Sequence, residues 1–304
     1  MLSVRAVVAA TIVFASSAAG QQRVVPIETL LSAPYPTAMT AAPSGGHVAW
    51  VMNDRGARNV WIASPPEYRG RQLTSYNQDD GQEISGLEWS PDGRTLLYVR
   101  GGGANRASEI PNPSSDPAGA EQAIWRVALT GGAPSRVGVG SSAVMSPRGD
   151  VVAFTRRGQI WSAPLDGSKE PTQLANMRGS ASRLHWSPDG SKLAFVSNRG
   201  DHSFIGVLSI GAAPASDAAG PTRRTVQWVA PSVDRDGEPV WSPDGKRVAF
   251  LRIPASASID LFKPVRSARP WSIMVGEIAS GTAKTVWTAD PGVGSAYREL
   301  VGDQ

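Results

Sequence analysis

Short, almost unbroken apolar runs recur along this chain, each entered through the same polar turn. Leu96-Leu97-Tyr98-Val99, Leu193-Ala194-Phe195-Val196 and Val248-Ala249-Phe250-Leu251 each follow a copy of Trp-Ser-Pro-Asp-Gly, at residues 89–93, 186–190 and 241–245. A worn copy, Met145-Ser146-Pro147-Arg148-Gly149, precedes Val151-Val152-Ala153-Phe154. A fainter one, Ala42-Pro43-Ser44-Gly45-Gly46, precedes Val48-Ala49-Trp50-Val51. Such runs, bounded by turn signals, read as strands covered on both faces. In the turn, Pro presets φ for the second position, Asp accepts local backbone hydrogen bonds, and Gly takes the positive φ that closes a hairpin.

Each repeat continues with a third strand, as in Asn59-Val60-Trp61-Ile62 or Gln159-Ile160-Trp161-Ser162, and a fourth, as in Arg71-Gln72-Leu73-Thr74. The turn prolines Pro43, Pro91, Pro147, Pro188 and Pro243 stand 48, 56, 41 and 55 residues apart. This WD40-like period predicts an all-β fold, a β-propeller of four-stranded antiparallel blades. Five blades are predicted over 37–76, 85–138, 141–175, 182–230 and 238–288, after a lead-in over 21–36. Residues 289–304 read as the start of a sixth blade, so an incomplete seven- or eight-bladed propeller is expected. All ten tryptophans fall at repeat positions and are expected to pack between blades. Two insertions, 101–121 and 253–270, fall between the second and third strands of their blades. Strand alternation puts them on one face with the connections 75–84 and 229–238, opposite the proline turns. A partner or substrate is expected on that inserted face, because loops on a rigid scaffold carry function.

Composition narrows the setting. With 304 residues, 41% hydrophobic and 18% charged, the chain can bury a sizeable core. The net charge of +4 is scattered; its densest spots are Arg156-Arg157 and Arg223-Arg224, so no nucleic-acid partner is expected. Residues 1–20 read as an export signal: Arg5, the apolar stretch 6–15, then Ser16-Ser17-Ala18-Ala19-Gly20. A periplasmic or secreted protein is expected, with no membrane attachment after cleavage. No cysteine is present, which excludes disulfides and thiolate metal sites.

Chemistry-bearing residues are sparse. No Gly-x-Ser-x-Gly elbow occurs, and His47, His185 and His202 have no activated serine beside them in the pattern, so no catalytic residue is assigned. Asp79-Asp80 and Asp234-Arg235-Asp236-Gly237-Glu238 lack the spacing of a calcium loop, and Gly101-Gly102-Gly103 opens no helix. No metal and no cofactor are expected.

Longer segments carry a family resemblance. The repeats, residues 195–207 (Phe-Val-Ser-Asn-Arg-Gly-Asp-His-Ser-Phe-Ile-Gly-Val), 232–236 (Ser-Val-Asp-Arg-Asp) and 111–119 (Pro-Asn-Pro-Ser-Ser-Asp-Pro-Ala-Gly) resemble one group. They look like the N-terminal propeller of exported bacterial prolyl oligopeptidase-family serine peptidases, of the dipeptidyl peptidase IV-like branch. The resemblance implies a non-catalytic propeller that restricts entry of small peptides to an α/β-hydrolase domain absent from this chain, which alone is expected to be inactive. It leaves a homo-oligomer of the intact enzyme open. Dipeptidyl peptidases of that family hold the peptide amino terminus with adjacent glutamates; no Glu-Glu pair exists here, and Glu109 in the first insertion is the nearest acidic candidate for substrate contact. The turn motif is shared with Tol-system periplasmic propellers, so a free-standing module that binds protein partners is the alternative reading.

Overall fold

A computed structural model describes residues 25–105, 107, 109–210, 225–255 and 270–290. The predicted signal 1–20, most of the second insertion, and the tail from 291 lie outside the described residues. The chain divides into a short leading unit, Met1–Ala33, and a main unit, Pro34–Gln304. In the leading unit the lead-in holds a one-turn helix, α1 (Ile27–Leu31).

The main unit contains five antiparallel four-stranded sets, in chain order. Blade one is β1 (Tyr35–Ala41), β2 (Val48–Asp54), β3 (Ala57–Ala63) and β4 (Arg71–Gln72). Blade two is β5 (Ile84–Trp89), β6 (Thr95–Arg100), β7 (Ala123–Ala128) and β8 (Ser135–Val139). Blade three is β9 (Ser141–Met145), β10 (Val151–Arg156), β11 (Gln159–Pro164) and β12 (Thr172–Gln173). Blade four is β13 (Ser180–Trp186), β14 (Lys192–Asn198), β15 (Ser203–Ser209) and β16 (Val226–Val229). Blade five is β17 (Arg235–Trp241), β18 (Arg247–Ile253), β19 (Ser272–Glu277) and β20 (Ala283–Thr288). A single parallel bridge, Ser203 to Arg235, joins blades four and five. Consecutive first strands lie side by side, β1 by β5, β5 by β9, β9 by β13 and β13 by β17. Among the described residues no comparable contact joins β17 to β1.

The core lies between blades. Each second strand sends alternate side chains to opposite neighbours: Leu96 and Tyr98 pack toward blade one, while Leu97 and Val99 pack toward blade three. Blade four repeats this, with Leu193 and Phe195 against blade three and Ala194 and Val196 against blade five. Period-two alternation between two apolar interfaces explains why these runs have no polar position. The terminal blades differ. β2 and β18 alternate buried with half-exposed residues, because among the described residues a blade packs on only one of their faces.

The proline turns nest along one face. In Ser90-Pro91-Asp92-Gly93 the Gly93 N–H donates to the Ser90 carbonyl at 2.8 Å, and Asp92 Oδ1 accepts from Arg94 N at 3.0 Å. Gly93 has φ 68°, and a Cβ there would stand 2.7 Å from the Ser44 carbonyl oxygen of the preceding turn, so only glycine fits. The preceding tryptophans fasten neighbouring blades. Trp186 Nε1 donates to the Val144 carbonyl at 3.1 Å and Trp241 Nε1 to the His185 carbonyl at 2.9 Å; Trp89 Nε1 reaches Thr40 at 3.5 Å. Of the ten tryptophans only Trp89 is fully buried, at 6% exposure. Trp50 instead stacks on Trp61, and Trp271 packs at a tilt against Trp287, within the terminal blades at ring separations of 6.4 and 4.9 Å.

Candidate functional site

The innermost strand of every blade is bulged at the same place. Five residues before each turn proline stands a residue with positive φ: Ala38 (53°), Gly86 (60°), Ser142 (51°), Arg183 (50°) and Glu238 (51°). The ladder register shifts there in each first strand, between Thr37 and Thr40 in β1 and between Gly237 and Val240 in β17. A side chain in this conformation costs about 1–2 kcal/mol, a strain that Gly86 alone avoids. Bulges re-aim side chains and recur beside functional sites. Here the bulges bring Arg183 Nε and Glu238 Oε1 of adjacent blades to 3.1 Å. The only sequence signal is the fixed offset from the proline, since Ala, Gly, Ser, Arg and Glu share no chemistry.

On the side opposite the proline turns, the described parts of the two insertions meet the connections that precede their blades. Gln82 Nε2 reaches the Pro111 carbonyl at 3.4 Å, joining the connection before blade two to the first insertion. Asp234 Oδ1 accepts from Ala255 N at 3.0 Å, joining the connection before blade five to the start of the second. Two arginines nine residues after their turn prolines organise this face. Arg100 pairs with Asp80 and lies 4.2 Å over the Tyr76 ring, whose hydroxyl meets that of Tyr98 at 2.7 Å. Burial pushes the Tyr98 phenol well above its ordinary value. Arg252 grips Asp236 in a fork, Nε to Oδ1 at 2.7 Å and Nη2 to Oδ2 at 2.8 Å, and also donates to the Ala230 carbonyl. Asp236 is 2% exposed; breaking such a buried pair from one side costs about 3–5 kcal/mol. Both acidic runs weighed for calcium thus have a carboxylate committed to an arginine. Among the described residues no cluster of three or more His, Asp or Glu is placed to hold a metal.

Glu109 lies exposed on the first insertion, where its Oε2 accepts from Asn105 Nδ2 at 2.8 Å and its N–H donates to Asn105 Oδ1 at 3.0 Å. The turn closes on itself, with the Asn105 N–H donating to the Glu109 carbonyl at 3.0 Å. His202 Nδ1 meets Asp201 Oδ1 at 2.6 Å, which holds that carboxyl below its usual range. His47 Nδ1 meets Ser64 Oγ at 2.9 Å, but among the described residues no carboxylate bonds this imidazole, so the pair lacks the third group that orients a catalytic base. His185 and His47 both lie on the turn side, His47 with its ring 6.2 Å from that of Trp89. The bulges and the two arginine clusters escaped sequence reading, because their partners are 16 to 55 residues away.

No family model matches the chain. Over 159 residues, half of this chain, it is 29% identical to "Tricorn protease homolog 1" of Streptomyces coelicolor, and the match spans 14% of that protein's length. Among solved structures it is similar to Kuenenia stuttgartiensis hydrazine synthase, with TM-score 0.54 and 14% identity over 84% of this chain and 67% of that one. It is also similar to a Mycobacterium tuberculosis puromycin-hydrolyzing peptidase, with TM-score 0.50 and 16% identity over 83% of this chain and 44% of that one. A weaker likeness, TM-score 0.47 and 20% identity over 84% of this chain and 81% of that one, is to a putative TolB from Agrobacterium tumefaciens. At such identities structural likeness speaks for fold alone. Blade topology and comparisons together make this chain a β-propeller, one whose sequence is similar to part of a protease.

Proposed function

We propose that this chain is the non-catalytic propeller portion of an exported serine peptidase of the prolyl oligopeptidase type, gating access of small peptides to a separate hydrolase domain. The observation that carries the reading is the sequence match to a segment of a protease. Two structural features support it. Blades one and five each keep one face uncovered among the described residues, as units that continue into further structure would. The inserted face, with Glu109 and the Arg100 and Arg252 clusters, is the side on which such a domain and its peptide would sit. The signal-like residues 1–20 support the exported part of this reading.

The test has two arms. The purified chain is expected to leave a dipeptidyl chromogenic substrate uncleaved, and nucleotide sequence beyond codon 304 is expected to encode further blades and a Gly-x-Ser-x-Gly domain. Hydrolysis by the chain alone would overturn the first expectation. A stop codon with no hydrolase, together with a stable protein partner in pull-downs, would replace the peptidase reading with the free-standing Tol-like one.

A further inference from the structure

The turn side of the array has no part in the peptidase reading, yet it carries a shaped groove. About 530 Å³ in volume, it opens across the turn ends of blades one to four, from Pro43 to Trp186. That is the size of a small-molecule site. Trp89, Trp186, Pro91 and Pro147 form apolar walls, and Glu88 and His185 are the titratable groups of its lining. Each of these two stands one residue before the tryptophan of its repeat.

Glu88 is set apart by a gap in the repeat. Elsewhere the next blade's indole bonds the carbonyl of the residue at this position, as Trp241 does at His185. Blade three has Met145 in place of that tryptophan and offers no indole. Instead Glu88 Oε1 accepts from the Met145 N–H at 2.8 Å, and among the described residues Oε2 has no hydrogen-bond partner. No Lys or Arg lines the groove. Glu88 is half-buried and this free oxygen faces the groove with only water to meet it, so a cation bound there would supply the opposite charge that the lining lacks.

We propose that this groove binds a small apolar amine, its ammonium against Glu88 Oε2 and its apolar body against the Trp186 indole. An ammonium supplies the missing positive charge, while the indole and proline walls take hydrocarbon. Titration agrees with the geometry. Burial pushes the Glu88 carboxyl up to about 7. His185 is lowered by loss of solvent around its ring, with Glu238 opposing and Arg183 assisting. As pH rises through neutrality Glu88 gains its charge and His185 is neutral, so affinity for an ammonium increases.

Isothermal titration of the full chain with phenethylamine tests this, with phenethyl alcohol as the uncharged isostere. Affinity for the amine is expected to rise about tenfold between about pH 6 and pH 8, following the ionised fraction of a group with pKa about 7, and the alcohol to bind at least about tenfold more weakly. Glu88→Gln keeps an oxygen for the Met145 N–H and is expected to lose most of the affinity and the pH dependence. Equal binding of amine and alcohol, no saturable amine binding at the higher pH, or unchanged affinity in Glu88→Gln would each overturn the proposal. The wild-type comparison of amine, alcohol and pH decides the matter even if the variant folds poorly. None of these outcomes depends on whether a hydrolase domain exists.

Discussion

Ser187 has no exposed surface, and its hydroxyl carries the turn it begins. Oγ accepts from Lys192 N at 2.9 Å while donating to Asp189 Oδ1 at 2.6 Å. Ser90 repeats this in blade two, with Thr95 N at 2.9 Å, and Ser242 in blade five, with Arg247 N at 3.0 Å. The serine's donation is the main reason Asp189 is held well below its ordinary value. Reading the motif as turn chemistry assigns tasks to Pro, Asp and Gly, of which those of Asp and Gly are seen, but none to Ser, whose bonds close only when the hairpin does. Ser187→Ala strands a backbone donor and is expected to lose about 1–3 kcal/mol in urea unfolding.

Among the elements, second strands were the most legible and first strands the least. Four apolar residues after a proline turn place β6, β10 and β14 without help from tertiary contacts. First strands begin up to three residues before the predicted blade starts, β13 at Ser180 and β17 at Arg235. Their bulge inserts a residue that no periodicity announces. The strain it stores can be measured. Ser142 holds φ 51° without being glycine, so Ser142→Gly is expected to stabilise the fold by about 1 kcal/mol at unchanged m. Gly86→Ala, at φ 60°, is expected to lose a similar amount.

Across the array the decisive fact is that, among the described residues, the terminal blades have a neighbour on one side only. Val48-Ala49-Trp50-Val51 and Val248-Ala249-Phe250-Leu251 predict strands covered twice, yet both are covered once among the described residues. The uncovered sides leave Met39 71%, Val240 58% and Trp287 48% exposed. In a quasi-linear array stability is a sum of unit and interface terms, so a unit lacking one interface opens first. Native-state hydrogen exchange is therefore expected to be faster in β2 and β18 than in β6, β10 and β14. Equal protection in all five strands would contradict this account.

By itself the sequence determined the repeat, its turns, its strand order and the side to which the insertions belong, because each follows from contacts within about ten residues. Tertiary structure decided which strands are covered twice, which carboxylates an arginine neutralises, and that Glu88 turns to a neighbouring backbone with one oxygen left over. Those outcomes depend on groups brought together from different blades, and a missing indole in one blade shows its effect only on the blade beside it.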